Sequence, residues 1–442
     1  MPETEGVNER GKHYKRIIFL AVCLILFCSC LTFNLQNGFL PIYNADHNVT
    51  TTWTGAIIGA GPLTIIVACF LSAFLLNRFS NRVLFAVPTA VLGLATALNS
   101  LLDFMPNSRY YEIVSFIVRL VQGLAGGMVN AAAFAVLVSI YPENAATVVA
   151  IADAILNAAL AAGPFLGSIL YSAGGFKLAL IVPGVAILLC TLPGAFIPQL
   201  SSRNDVNSLR APALICDPWI LFPAWHCAAC TLLLSYHTPI LSVYVEEVFG
   251  EGIVWVGFAL LVPSGAVGLS SIVIGFLIDQ YLSPYFFFLS SAVLLPVTYL
   301  FIGPSPLLTF LAPSKTQLLI ALAGLGLVVP MGCISSLLIM FDMYKVRKGA
   351  ETVPGWVSNV LLSLYSGSFP VGICIAVISS GIVAEQFSFE QSTGGLALAF
   401  LLHTAASIVF YVLVTLEKAK KKEEVAGEII LKNINFAKDE EA

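Results

Sequence analysis

Charge is what this sequence has least of. Of 442 residues only 10% are Asp, Glu, Lys or Arg, while 58% are hydrophobic. Soluble globular chains run at about 25% charged and roughly 45–50% apolar. One water-soluble core does not absorb that excess, so a soluble globular protein is excluded. No Gly-x4-Gly-Lys-Ser/Thr loop occurs, so nothing supports ATP-driven transport. No short apolar leader with a cleavage site is apparent: the first apolar run starts at Ile17, behind a polar tail, and continues to about Leu40. That is too long for a signal peptide and reads as a spanning helix. The ten cysteines lie almost all inside apolar segments. "CAAC", Cys227 to Cys230, has redox or zinc spacing but lacks companion ligands. It reads as small packing residues, with no metal site expected. The net charge of −4, with basic residues confined to loops and tails, gives no nucleic-acid footprint.

What is present in abundance is apolar runs longer than the roughly 18 residues that mark a membrane helix. Twelve are expected, at 17–41, 53–76, 83–102, 113–141, 145–172, 178–197, 218–245, 253–281, 284–303, 316–344, 354–383 and 395–416. A polar linker, 198–217, divides them six and six. The expected organisation is a tail at 1–16, a six-helix bundle at 17–197, the linker, a second bundle at 218–416 and a mobile tail at 417–442. Basic residues divide seventeen to three between the two faces, with only Arg109, Lys177 and Lys315 on the poor side and Arg119 inside a helix. Positive loops stay inside, so both termini are expected in the cytosol. The sequon at Asn48 falls in the first outer loop, a weak glycosylation candidate.

The halves repeat each other. "LPIYNADHNVTTTWTGAII" and "LSVYVEEVFGEGIVWVGFAL" match Tyr43 with Tyr244, Trp53 with Trp255 and Gly55 with Gly257. Twenty-four residues beyond each tryptophan come Asn77 in "FLLNRF" and Asp279 in "FLIDQY". A duplicated six-helix unit in parallel orientation suits a rocking carrier with its site between the halves.

Three motifs resemble those of the major facilitator superfamily. Helix 4 carries "RLVQGLAGG", with Arg119, Gln122 and Gly123. Helix 5 carries "AAGPFLGS", similar to the antiporter motif at Gly163, Pro164 and Gly167, with Ser168 replacing a glycine. The loop "AFLLNRFSNR" keeps Arg78 and Arg82 but has Ala73, Asn77, Ser80 and Asn81 at other motif positions; the gate acid appears in the second repeat, as Asp279. "YPENAATVVAIAD", "AAGPFLGSILYSAGGF" and "FIGPSPLLTFL" are similar to the vesicular amine transporter family, in its vesicular polyamine branch. The resemblance implies an all-α membrane protein of twelve transmembrane helices in two pseudo-symmetric bundles. It implies a transporter and not an enzyme, exchanging protons for an organic cation, a polyamine or amine. The transmembrane proton gradient then takes the place of a cofactor. A vesicle membrane is favoured, and a monomer is expected. Where monoamine members place a helix-1 aspartate, this chain has Asn34, Gln36 and Asn37.

Asp153 is the central candidate. It stands ten residues before Gly163 in an apolar run, and a carboxylate inside a membrane costs about 2.5–3.5 kcal/mol on insertion scales. Asn157, four residues on, shares its helix face. The pair reads as a proton or cation site, with Arg119 as a possible counter-charge to Asp153. His237, beside Pro239, is a second proton candidate; His226 is a weaker one. Phe33, Tyr236 and Tyr365 are candidates for an aromatic wall around an ammonium group, with core packing the plainer reading. Asp342 reads as an interfacial acid beside Lys345. Glycines 123, 126, 127, 163 and 167 allow close helix approach. Two rivals remain: a carrier of neutral or anionic solutes that uses Arg119, and a non-transporting sensor on the same fold.

Overall fold

The computed structural model describes residues 2–75, 79, 81–105, 108–141, 145–192, 214, 216–303, 312–349 and 352–440. At a minority of these, including 2–13, Asp153 and 424–440, only the backbone is described. Every described element is helical. In order they are α1 (Pro2–Leu35), α2 (Leu40–Asp46), α3 (Thr51–Leu75), α4 (Asn81–Asn99), α5 (Ser108–Ile140), α6 (Ala145–Leu189) and α7 (Pro218–Tyr236). Then follow α8 (Leu241–Phe249), α9 (Ile253–Gln280), α10 (Pro284–Leu300), α11 (Lys315–Lys348), α12 (Gly355–Val383) and α13 (Phe389–Glu440). Among the described residues ten helices are long and apolar enough to cross a membrane. In hydrocarbon the backbone has no water to bond to, and a helix satisfies every N–H and C=O within itself.

The contact pattern is duplicated. In the first half α3 packs on α5, α1 on α6, and α4 on both α5 and α6. In the second half the equivalents recur: α9 on α11, α7 on α12, and α10 on both α11 and α13. The two most extensive contacts between the halves are α3 with α12 and α6 with α9, and each is the image of the other; α2 also meets α8, and the 3-10 turn at Gln36–Gly38 meets α9.

The structure departs from the expected boundaries in four places. The first span, expected as one helix over 17–41, breaks after Leu35 into a 3-10 turn, Gln36–Gly38, before α2. The seventh, expected over 218–245, breaks at residues 237–240 before α8. Both breaks lie beside a proline in the first turn or the gap, Pro41 and Pro239, which lacks the N–H that a continuous helix uses. The fifth and sixth spans form one assigned helix, α6, turned at Gly174 and Gly175. Gly175, with φ 67° and ψ −165°, adopts a conformation open only to glycine. Finally α13 runs on through the charged tail to Glu440, where mobility was expected. Its run of Ala, Lys and Glu favours the helix.

The repeat in sequence is a repeat in packing. Tyr43 of α2 stacks on Phe176 with centroids 4.1 Å apart, and Tyr244 of α8 stacks on Phe389 at 4.1 Å. We call the side of the bundle that carries the chain ends the near side and the opposite one the far side. Ion pairs brace both. On the far side Lys177 pairs with Asp103 at 3.2 Å, and Lys315 with Glu251. On the near side Arg347 pairs with Asp217 at 2.6 Å, and Asp217 also caps the start of α7 through Trp219. Asp342 pairs with Lys418 of α13 at 2.6 Å and accepts from the Tyr285 hydroxyl at 2.7 Å, rather than pairing with Lys345. Lys418 also lies 4.3 Å over the Tyr285 ring. That gives it a cation–π contact which a solvated neighbour on the same helix lacks.

Candidate functional site

The break in α1 organises the polar interior of the first half. A helix end leaves its last carbonyls without intrahelical donors and carries partial negative charge. Arg119 of α5, 1% exposed, answers both. Its Nη1 donates to the Phe33 carbonyl at 3.0 Å and its Nη2 to Asn37 Oδ1 at 3.3 Å. Its guanidinium also sits 4.7 Å from the Phe33 ring centroid. The described partner of this buried cation is therefore the C-terminus of α1. Its Nε has no hydrogen-bond partner among the described residues.

Amides continue the network. Gln36 Nε2 donates to Gln122 Oε1 at 3.2 Å, Asn99 Nδ2 to Gln36 Oε1 at 3.4 Å, and Gln122 Nε2 to Thr96 Oγ1 at 3.0 Å. Asn34 Nδ2 donates to the Cys30 carbonyl at 2.9 Å, so that it satisfies its own helix. The glycine motif of α6 packs on the same break. A Cβ on Gly163 would meet Asn34 Cβ at 2.9 Å, and one on Gly167 would meet the Leu35 carbonyl oxygen at 2.0 Å. The Pro164 carbonyl oxygen would lie 2.0 Å from a Cβ on Gly38. Gly123 brings α5 onto α3, where a Cβ would meet the Gly61 carbonyl oxygen at 2.3 Å. Gly126 has open space around it.

Asp153 and Asn157 lie on α6. Close to both, the Cys30 thiol of α1 reaches the Leu156 carbonyl at 3.6 Å. Asn157 is half-buried; the side chain of Asp153 lies outside the described residues, as do Asn77 and Arg78. Arg82 is exposed at the start of α4, Asp279 at the end of α9, and Asn48 in the α2–α3 turn with a left-handed φ of 57°.

The break in α7 holds His237. It is buried, and its Nδ1 has no partner among the described residues. By the repeat, His237 stands where Gln36 stands in the first half. Phe33, Tyr236 and Tyr365 each have contacts of their own, in keeping with the plainer packing reading. Phe33 lies under Arg119, the Tyr236 hydroxyl bonds Ser392 Oγ at 2.8 Å, and Tyr365 packs edge-on against Phe369. His226 is more engaged than its sequence setting suggests. Its Nδ1 lies 2.9 Å from His403 Nε2 and its Nε2 3.0 Å from Ser291 Oγ, so it joins α7, α13 and α10. Gly332 of α11 makes room: a Cβ there would lie 2.9 Å from both His226 Nε2 and Ser291 Oγ. Among the described residues no group of three or more His, Cys, Asp or Glu is placed to hold a metal. An open groove of about 540 Å3 that includes Tyr285, Phe286, Val293 and Tyr411 shares no residue with either cluster.

Residues to which sequence reasoning gave no role in a site close the far side. A Cβ on Gly55 of α3 would sit 2.3 Å from the Val377 carbonyl oxygen and 3.1 Å from Gly381 Cα of α12. Gly59 meets Ile378 in the same way. Thr51 Oγ1 donates to the Gly381 carbonyl at 3.0 Å, and the Thr52 N–H donates to Glu385 Oε1 at 3.1 Å. The image contact sets Gly257 of α9 against α6, where a Cβ would lie 2.6 Å from Ser168 Oγ and 3.0 Å from Phe165 Cα. Ser168, in the place of the motif's last glycine, donates to the Gly38 and Pro164 carbonyls. All these close approaches between the halves lie toward the far side.

Two helix repeats sealed against each other at one side, with buried polar groups at the breaks of their first helices, define a membrane carrier of the alternating-access type. The sequence profile of the Major Facilitator Superfamily matches residues 22–349, and the chain belongs to that superfamily. It is 25% identical over 419 residues to the MFS-type transporter SLC18B1 of Rattus norvegicus, which covers 92% of this chain and 89% of that protein. The Homo sapiens protein of the same name is 23% identical over 427 residues, 96% of this chain and 91% of its own. Among solved structures, a bacterial homolog to the human lysosomal transporter Spinster, inward-facing and unoccupied, superposes with a TM-score of 0.70 at 11% identity. That match covers 92% of this chain and 98% of the other. The nucleoside transporter NupG gives 0.66 at 13% identity, over 90% and 98%. These structures share the fold.

Proposed function

We propose that this secondary transporter exchanges protons for a small organic cation, a polyamine or amine, across an intracellular vesicle membrane. Twelve spans would form two bundles, 17–197 and 218–416, joined by the linker 198–217, with both tails in the cytosol. The observation that carries the reading is the position of Asp153 with Asn157 on α6. They lie beside the Cys30–Leu156 contact to α1 and on the helix whose far half seals against α9. A carboxylate there draws a proton or an ammonium group into the path, and rocking of the halves exposes it to each side in turn. Asn34, Gln36 and His237 at the two helix breaks add polar groups around that path. The amine assignment rests on the motifs of helices 4 and 5; relatedness to the MFS-type transporter SLC18B1 over most of the chain supports a transporter of this superfamily.

The test is uptake of a polyamine and monoamine panel into proteoliposomes with an imposed pH gradient. Gradient-driven uptake that disappears in Asp153→Asn supports the reading; full pH-driven uptake by that variant overturns it. A second reading, an anionic substrate, is favoured by one observation: Arg119 keeps its buried Nε without a partner among the described residues.

A further inference from the structure

Glu385 follows the C-terminus of α12 and belongs to the second half; the residues that bind it start α3 in the first. The Thr52 backbone N–H donates to its Oε1 at 3.1 Å, and the hydroxyls of Thr52 and Thr50 lie close to the same carboxylate. The first N–H groups of a helix have no intrahelical acceptor and carry partial positive charge, so a carboxylate is their preferred cap. Caps of this kind come as a rule from the residue just before the helix. At α3 the preceding Thr50 accepts from the Trp53 N–H at 3.3 Å, while the Thr52 N–H is capped from the other half of the molecule, 333 residues away. Thr51 Oγ1 and the Gly381 carbonyl make a second bond across the same seam.

The consequence follows from topology. When the far side opens, α3 leaves α12, and the three donors at Thr50 and Thr52 leave the carboxylate. We propose that Glu385 is a proton-binding residue of the far-side gate: as the carboxylate it latches α3 to α12, and a proton from the far compartment releases the latch. A carboxyl group accepts hydrogen bonds more weakly than a carboxylate and brings no charge to the positive end of α3.

The sign is fixed by the bonds. The Thr52 N–H holds the Glu385 carboxyl below its ordinary value of 4.5 while the seam is closed; burial opposes it, and the hydroxyls of Thr52 and Thr50 add smaller contributions in the lowering direction. In the open state those donors are gone. The latch is therefore fully present above the ordinary value and is lost as the pH falls through the lowered one. Acid on the far side favours opening, and neutrality favours the sealed form. The titratable groups on the neighbouring elements are Asp46 at the end of α2, His47 just after it and Glu390 in α13, and among the described residues none of them forms a hydrogen bond or ion pair with Glu385. The His47 ring bonds its own helix through the Tyr43 carbonyl. The link from latch to energy coupling rests on the proton-exchange reading above; the latch itself does not.

The experiment is a distance measurement between spin labels across the seam. Asn48→Cys and Phe387→Cys are both exposed sites, used in full-length protein with exposed Cys216 replaced by serine and frozen in liposomes between pH 7 and 3.5. In the parent protein the long-distance, open population grows as the pH falls below about 4.5. Glu385→Gln removes the pH response and raises the open-to-closed ratio at pH 7 by roughly two- to fivefold, the range of a charge at a helix N-terminus. Thr52→Pro removes the donating N–H where proline is tolerated in a first turn, and raises the ratio with the carboxylate intact. The proposal is overturned if Glu385→Gln keeps the parental pH response, if the parent shows none, or if the response centres near pH 6.5, the range of an unperturbed histidine. No substrate is needed. An intact latch beside failed gradient-driven uptake would overturn the exchange reading alone.

Discussion

Substituting Gly55 by alanine places a methyl group 2.3 Å from the Val377 carbonyl oxygen and 3.1 Å from Gly381 Cα. Neither neighbour is a side chain that can turn away. An ordinary contact begins near 3.4 Å, so α3 and α12 must separate by about 1 Å where they cross. Overpacking of that kind costs about 1–3 kcal/mol, and the cost falls on the sealed state alone, because the open state moves the two helices apart. The equilibrium between sealed and open forms then shifts by roughly 5- to 150-fold toward open. The assay is the rate at which a membrane-impermeant maleimide labels Ile378→Cys from the far side at neutral pH, compared with the parent lacking that cysteine. Gly126→Ala is the control, since nothing lies within 4 Å of its added Cβ. If Gly55→Ala folds and labels no faster than Gly126→Ala, the seam is not the far-side gate.

Two further substitutions probe the buried polar groups. His403→Ala leaves His226 Nδ1 buried without its 2.9 Å partner, and an unsatisfied buried group costs about 1–3 kcal/mol. A clear drop in the unfolding temperature of detergent-solubilised protein is expected, and an unchanged melting curve refutes the pairing. Arg119→Ala strips the donor from the Phe33 carbonyl and Asn37, which should cost a similar amount in the same assay. Its binding readout separates the two substrate readings: cation binding survives if the cargo is an amine, and anion binding disappears if the cargo is an anion.

Much of this architecture is legible in the chain. Apolar runs mark the spans, but the breaks at Gln36–Gly38 and 237–240 fall inside runs that read as continuous helices. Tyr43 and Tyr244 mark the repeat well enough to locate matching ring stacks on Phe176 and Phe389. Gly55 and Gly257 stand out in the alignment of the halves, but sequence does not tell a glycine at a seam from one in the interior of a bundle. The partner of Arg119 is illegible for a different reason: a backbone carbonyl freed by a helix break has no letter of its own. His226 and His403 are 177 residues apart, and nothing local announces that α7 and α13 bring them together. Lys418 outcompetes Lys345 for Asp342 because helix packing, not sequence proximity, decides which ammonium arrives.

The seam between α3 and α12 has a further implication. A carrier idling with one door shut loses whatever ion gradient drives it if a file of water threads the closed door. Side chains meeting at such a door would have to settle into one arrangement at every closure, at an entropic cost, and polar ones would offer water places to stand. Glycine against main chain at Gly55 and Gly381 has no rotamers to order and leaves little space to wet. The door is thus built to shut quickly and dry.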